Sequence, residues 1–572
     1  MVPDLRPPCR GDPPDAAPGR LHGARVQRRA GLPLAAVGPL ERLGYRVMRV
    51  EPAAEQDWKA YARSVLVFSL VSWLALYLIL RTQGAHPLNP EGFRSGPWDL
   101  SFNTASSFVS NTSWQFYGGE TTLSYFSQMA GITVASFTSG AVGVAVAVAL
   151  IRGLARRETE RLGNFWVDLT RSLLYVLLPL SILASIVLAS QGVIQTLSGS
   201  VDLGGLTHLP QTLALGPTAS QESIKLLSGD GGGFFNVNSA MPFENPTGLS
   251  NFIEILLMLL IPAALTYTFG QMVGRRRQGW MLYATMVALF VTGIGVLYAA
   301  EAHGTPAMHA AGAHGANMTG KEVRFATGGS TLFVATATAS GDGAVNSALE
   351  SLTGLGGAVP MANIMSGEVI FGGPGSGLYG MMLVVVIAVF IAGLMVGRTP
   401  EYLGKKIGIR EIKLALLGTL FVPIAVLGTT ALATATQAGT RSLFEHGPQG
   451  FSETLYAYLS QTNNNGSAFA GYTGFIQPNA PGNVGSYGIS FADLAGGAVM
   501  TLGRFVPILF VLALAGALST RKVAPHGLGT LRTDTPTFAI FLIGVVILLA
   551  LLNFLGALFL GPLAQSLTSQ LF

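Results

Sequence analysis

Charge is what this chain has least of. Only 11% of its 572 residues are Asp, Glu, Lys or Arg, against about 25% in an ordinary soluble domain. Half of the residues are apolar and the mean hydropathy is +0.49, which excludes a water-soluble globule. There is one cysteine, Cys9, so no internal disulfide framework can form and the redox compartment is unreadable. No Gly-x-x-x-x-Gly-Lys-Ser/Thr loop and no Asp-Lys-Thr-Gly phosphorylation motif occurs. The chain is therefore expected to bind no nucleotide and to be no enzyme on its own. The net charge of +5 reads as membrane orientation, with membrane lipid as neighbour and no nucleic-acid partner. His303, His309 and His314 fall in an Ala/Gly-rich loop and read as solvated rather than as a metal site.

Apolar runs dominate what is present. A membrane helix needs roughly 17–25 apolar residues. Nine stretches qualify: 64–80, 125–151, 172–190, 250–273, 280–300, 376–396, 413–436, 495–518 and 538–560. Pro179, Pro262, Pro423 and Pro507 interrupt four of them, which neighbouring helices can tolerate. The turns at 152–171, 274–279, 397–413 and 519–537 are short and basic. The longer opposite loops hold few basic residues: Arg81, Arg94, Lys225, Lys321, Arg324 and Arg441. The basic turns are expected on one side, the cytoplasmic one.

Each long outward loop carries a short, moderately apolar stretch and then a run of Gly, Asn, Ser and Thr. The stretches are 100–109, 220–227, 331–339 and 452–459. The polar runs begin at Ser110, Ser228, Ser340 and Gln461. The order of span, short helix, polar loop and span thus occurs four times, and such internal repetition is a fold signal. A short helix dipping into the membrane aims its partly negative C-terminal end at the centre. The loop after it offers backbone carbonyls, and four such loops can replace an ion's water shell. Small neutral ligands suit a large, weakly hydrated cation; a carboxylate cage would suit calcium or magnesium. Potassium is the ion expected, with sodium not excluded by the residues. The abundant glycine, 72 residues, fits carbonyls that must turn inward.

Ionisable residues inside spans mark pathways. Arg504 lies within 495–518 and is expected to neutralise a cavity or to gate it, unless it simply pairs with Asp493 or Glu254. Glu368 precedes Gly372-Gly373-Pro374-Gly375, a stretch able to break the second helix of the third unit and so form a gate, or else an ordinary loop.

Five stretches resemble the KdpA family, the potassium-binding subunits of bacterial potassium-transporting P-type ATPase (Kdp) complexes. They are Asn111–Gln115, Gly231–Asn236, Pro242–Thr247, Arg398–Lys406 and Asn463–Phe469. The likeness runs from about Gly38 to the C-terminus. It implies an all-α polytopic membrane protein with four pseudo-repeated helix–pore-helix–loop–helix units, potassium-channel-like, plus a C-terminal helix. On that frame residues 1–37 are an atypical segment. The four repeats are 38–167, 168–279, 280–412 and 413–530, and 531–572 is the last transmembrane helix. The implied filter for K+ comprises Asn111, Thr112, Ser113, Gly229, Asp230, Gly231, Gly341, Asp342, Gly343, Asn464, Asn465 and Gly466. Gln115 and Asn238 would lie near it, and Arg504 near the lower end of the vestibule; Glu368 stays the gate candidate read from the residues. The implied partners are the ATPase catalytic subunit KdpB, KdpC and a small KdpF-type subunit. The implied location is a bacterial plasma (inner) membrane.

The chain departs from the family at several points. The family often has Thr-Asn-Gly in the second filter loop and Ser-Cys-Gly in the third; here the residues are Gly229-Asp230-Gly231 and Gly341-Asp342-Gly343. The added carboxylates are expected either to strengthen the field on the ion or to face away as braces. The loop at 471–490 is longer than in some members. Residues 1–30 hold no span where the family has an apolar helix, and we expect a misassigned start or a frameshift. Two rival functions remain open on the residues: a self-sufficient potassium channel or ion-coupled transporter, and a non-transporting membrane scaffold.

Overall fold

The computed structural model describes residues 33–204, 210–474, 490–524 and 531–567. The expectation of a misassigned start falls on residues 1–30, and that of a lengthened loop falls largely on 475–489; both lie outside the described residues. Two units are distinguished, Met1–Val50 and Glu51–Phe572. In the first, Pro33–Val47 is a helix on which Tyr45 donates to Glu41 across one turn at 2.7 Å.

The second unit is almost entirely helical. Among the described residues nine helices are long and apolar enough to cross a membrane: Trp58–Ala85, Ser127–Ala155, Phe165–Ser190, Gly248–Met272, Arg276–Ala310, Ser376–Met395, Ile409–Ala435, Phe491–Ser519 and Pro536–Leu567. Each coincides with one of the nine stretches expected from the sequence. The second is enclosed by protein over 78% of its most apolar window and the first over only 22%, so the second belongs to the interior and the first presents its apolar face outward. Pro262, Pro423 and Pro507 lie inside their helices. Pro179 instead starts a helical segment just after a π-helical turn at Ser172–Leu177, a widening that absorbs the missing donor. The only strands among the described residues form three two-stranded ribbons.

Four further helices stand between the spans: Trp98–Val109, Thr218–Ser228, Ala326–Ser340 and Gly447–Asn463. We refer to them as the first to fourth pore helices. They contain the four short apolar stretches read from the sequence. The third unit differs in one respect. Its second helix is broken into Gly354–Met365 and Ser376–Met395, with an irregular segment between, where Gly-Gly-Pro-Gly pointed to a break.

The four basic turns meet at one end of the bundle. Lys405, fully buried, donates to the carbonyl of Gly153 at 2.8 Å, of Leu518 at 2.8 Å and of Arg156. It thereby binds the C-terminal ends of the second and eighth spans, where carbonyls lack intrahelical partners. Arg521 grips Glu411 at 2.8 Å, and Gln278 donates to Thr533 at 2.7 Å. Hydrogen bonds to a charged group contribute roughly 1.5–3 kcal/mol each. Lys405→Met is therefore expected to lower the thermal midpoint of the purified chain by several degrees, read by size exclusion after heating. An unchanged midpoint would show that the ammonium holds nothing together.

Two lysines counted among the few basic residues of the outward loops are buried with acidic partners. Lys225 pairs with Glu222 at 2.7 Å and with Glu244, and Lys321 pairs with Glu301 at 2.7 Å. All five side chains are buried. A charge in such surroundings persists only with partners.

Candidate functional site

The four pore helices end in the same way. Each is followed by a left-handed residue, directly in the last three and after Ser110 in the first: Asn111 (φ 63°), Gly229 (φ 59°), Gly341 (φ 66°) and Asn464 (φ 63°). The amide of the next residue returns to a carbonyl five positions back. These bonds are Thr112 to Ser107 at 2.9 Å, Asp230 to Lys225 at 3.0 Å, Asp342 to Ala337 at 3.2 Å and Asn465 to Ser460 at 2.9 Å. This is the Schellman arrangement, which glycine and asparagine favour because they tolerate positive φ. In three of the loops the residue after that is again left-handed: Ser113 (φ 60°), Gly343 (φ 81°) and Gly466 (φ 99°).

The loops close into a ring. Loop one meets loop four, where Asn464 Nδ2 donates to Thr112 Oγ1 at 2.8 Å. Loop four meets loop three, where a Cβ on Gly343 would overlap the Asn465 carbonyl. Loop three meets loop two, where the Gly231 amide donates to the Asp342 carbonyl at 2.5 Å. Loop two returns to loop one through Asn111 Nδ2 and the Gly229 carbonyl. A Cβ on Gly466 would in turn overlap the Thr112 carbonyl. So Thr112, Asp342 and Asn465 each place a backbone oxygen against the third residue of a neighbouring loop. All twelve residues that the family resemblance implied for the filter lie in this ring, and every one is buried or a glycine packed within it.

The side chains brace rather than cross the ring. Asn464 Nδ2 also donates to the Met500 carbonyl at 2.9 Å, and Asn465 Nδ2 to the Ala337 carbonyl at 3.1 Å. Gln115 exchanges two bonds with Gly233, at 3.1 and 3.3 Å, and Asn238 Nδ2 donates to the Gly231 carbonyl at 2.9 Å. Asp230 Oδ2 accepts from Ser139 at 3.4 Å, and Asp342 Oδ1 from the Ala344 amide at 3.3 Å. Each of the two carboxyls keeps one buried oxygen without a partner. Replacing Asn464 by Ala removes two bonds and leaves an alanine in a left-handed position that costs about 1–2 kcal/mol. Asn464→Ala is expected to raise the K+ concentration for half-maximal uptake by about tenfold or more, measured with 86Rb+ as tracer.

The broken helix of the third unit passes beneath loops two and three. Gly372 donates to the Ala339 carbonyl at 2.8 Å. Pro374 packs on Gly229, and Gly375 (φ 97°) lies against the Gly143 carbonyl. Beside this segment is a cavity of about 100 Å³, lined among others by Glu368, Tyr379, Thr462, Asn464 and Arg504. The structure thus places Glu368 and Arg504 in one chamber that touches the foot of the ring. Glu368 is left-handed (φ 54°) and its Oε1 has no partner. Arg504 Nη2 is 3.4 Å from the Ser139 carbonyl. It makes no ion pair with Asp493 or Glu254, whose carboxylate oxygens are buried and unpartnered.

The KdpA model, described as the potassium-transporting ATPase A subunit, matches residues 20–567. The chain belongs to this family. It is 52% identical over 562 residues to the potassium-transporting ATPase potassium-binding subunit of Sorangium cellulosum, covering 95% of each chain. It is 51% identical over 531 residues to the subunit so named in Methylobacterium nodulans, covering 93% of this chain and 91% of that one. Among solved structures it is similar to the potassium transporter TrkH from Vibrio parahaemolyticus, with a TM-score of 0.50 at 13% identity over 79% of this chain and 84% of the other. At that identity the likeness concerns the fold, and it agrees with the channel-like arrangement of four units.

For this KdpA-family chain, sequence reasoning missed the charged cluster behind loop two. Lys225, Glu222 and Glu244 sit there with Glu254, all buried. The available signal was Glu222 and Lys225 three residues apart inside a short helix between two spans, a spacing that places both on one helical face. Among the described residues no group of three or more His, Cys, Asp or Glu could hold a metal ion.

Proposed function

We propose that this chain is the potassium-binding, non-hydrolytic subunit of an ATP-driven uptake pump in a bacterial plasma membrane. In this reading the basic turns face the cytoplasm and the four-loop ring is a potassium filter open to the outside. The observation that carries it is the fourfold repetition at the pore-helix ends: one left-handed residue, one amide returning five positions, and backbone oxygens gathered at the loop junctions. Carbonyl ligands on a braced frame can stand in for the water shell of a large monovalent cation. The partly negative ends of four helices add to the field. The ion then enters the chamber between Glu368 and Arg504 and passes to the ATPase subunit, the partner that the relatives' names imply. The broken segment beneath the ring keeps it from running straight through.

The test is growth of potassium-uptake-deficient cells at limiting potassium, with this chain alone and with the ATPase subunits encoded beside it. Rescue is expected only with the partners. Rescue by the chain alone would overturn the pump reading in favour of an independent channel or symporter. Normal rescue by a chain with a disrupted ring would leave only a scaffold role.

A further inference from the structure

Lys225 makes all three of its possible donations inside the protein, and their geometry leads to the ring. Its ammonium reaches Glu222 Oε2 at 2.7 Å, Asn238 Oδ1 at 2.9 Å and Glu244 Oε1. The two carboxylates are held in turn: Glu222 Oε1 accepts from Ser239 at 3.2 Å and Glu244 Oε2 from the Phe235 amide at 3.3 Å. Asn238 is itself left-handed (φ 53°). Its Oδ1 also accepts from the Val345 amide at 3.3 Å, and its Nδ2 donates to the Gly231 carbonyl at 2.9 Å. One side-chain amide therefore joins the second loop to the segment just after the third.

An ammonium can only donate. Facing Lys225, the Asn238 amide has one permitted orientation, with oxygen toward the lysine and nitrogen toward Gly231. A rotated amide would set donor against donor at the lysine and oxygen against oxygen at Gly231. We propose that Lys225 is a positioning residue of the filter: a cation built into the second pore helix that fixes the Asn238 amide, and through it the Gly231 carbonyl. The inference rests on the reading of the ring as a potassium filter. A buried ammonium costs desolvation that an apolar side chain avoids; here its return is a fixed orientation. Removing it takes away the one charged donor to the Asn238 oxygen, which keeps only the Val345 and Ser239 amides at 3.3 and 3.1 Å; the side chain loosens and the Gly231 carbonyl drifts, which weakens potassium binding and discrimination against sodium.

The experiment is potassium-stimulated ATP hydrolysis by the assembled complex carrying Lys225→Met/Glu244→Gln, Asn238→Leu, or all three changes. The first pairing removes one charge of each sign and so leaves the cluster's balance unchanged. Each variant is expected to raise the K+ concentration for half-maximal stimulation about tenfold, the effect of losing one charge-assisted hydrogen bond. Discrimination against Na+ should fall with it, and the maximal rate should change far less. The triple variant should be no worse than the worse parent, because all the changes break one relay. Unchanged half-stimulation in an assembled Lys225 variant, or effects that multiply in the triple variant, would overturn the proposal. If the Lys225 variant does not assemble, Asn238→Leu decides: unchanged half-stimulation overturns the relay. Gly343→Ala separates the two levels. If it weakens potassium stimulation while the Lys225 variants do not, only the relay fails; if it has no effect either, the filter reading fails.

Discussion

Gly343→Ala is expected to abolish high-affinity potassium uptake. Two costs coincide at this position. The backbone is left-handed (φ 81°), and an added methyl would overlap both the Asn465 carbonyl and Gly466. Left-handed strain alone costs about 1–2 kcal/mol in a non-glycine residue. Relieving the overlap means moving one loop away from its neighbour, which opens the ring. Together these amount to roughly 3 kcal/mol, or about two orders of magnitude in half-saturating K+. 86Rb+ uptake in cells expressing the assembled complex would measure it. The same reasoning applies to Gly466, whose methyl would overlap the Thr112 carbonyl. By contrast Gly367 has positive φ (80°) but open space around it. Gly367→Ala is thus expected to cost the backbone strain alone and to leave the ring closed.

Arg504→Gln is expected to act differently, on what happens after the ion has left the ring. The guanidinium lines the chamber that Glu368 also lines, and among the described residues it has no ion-pair partner. A monovalent cation roughly 6 Å from it, at an effective dielectric of about 20, is repelled by about 3 kcal/mol. Removing the charge raises occupancy of the chamber by up to about a hundredfold. Half-saturating K+ should move little, since the ring is intact, while ATP hydrolysed per ion taken up should change. Parallel measurement of 86Rb+ flux and phosphate release reads that ratio. An unaltered ratio, with altered affinity, would place Arg504 in the ring's support and not in the path.

Much of this architecture can be read from the sequence because its signals are local. Nine apolar stretches of membrane length became nine helices, and Gly372-Gly373-Pro374-Gly375 marked the break in the third unit's second helix. The basic residues of 152–171, 274–279, 397–413 and 519–537 pointed to one end of the bundle, and Lys405, Glu411 and Gln278 bring those turns together. The glycine and asparagine runs after each short stretch marked the pore-helix ends, since both residues tolerate positive φ. What could not be read depends on contacts between distant segments. Nothing local tells that Asn464 reaches Thr112, 352 residues away, or that Gly231 meets Asp342. The ionic cluster was hidden for another reason: a buried lysine with two carboxylates has the same composition as a solvated one. Lys225 and Lys321 read as outward-loop charges until their partners, Glu222, Glu244 and Glu301, came into view. The pairing imagined for Arg504 failed because Asp493 and Glu254 lie elsewhere in the fold; the residue faces a cavity that no linear spacing reveals.

The central claim is that the ring of Thr112, Asp230, Asp342 and Asn465, with the residues either side of each, holds the cation. The most direct measurement is the position of thallium, an electron-dense substitute for potassium, in a structure of the complex prepared with Tl+. The account predicts density on the axis enclosed by residues 111–113, 229–231, 341–343 and 464–466, lost on competition with potassium and retained in sodium. Thallium bound only elsewhere, with those four loops ordered and vacant, would contradict it.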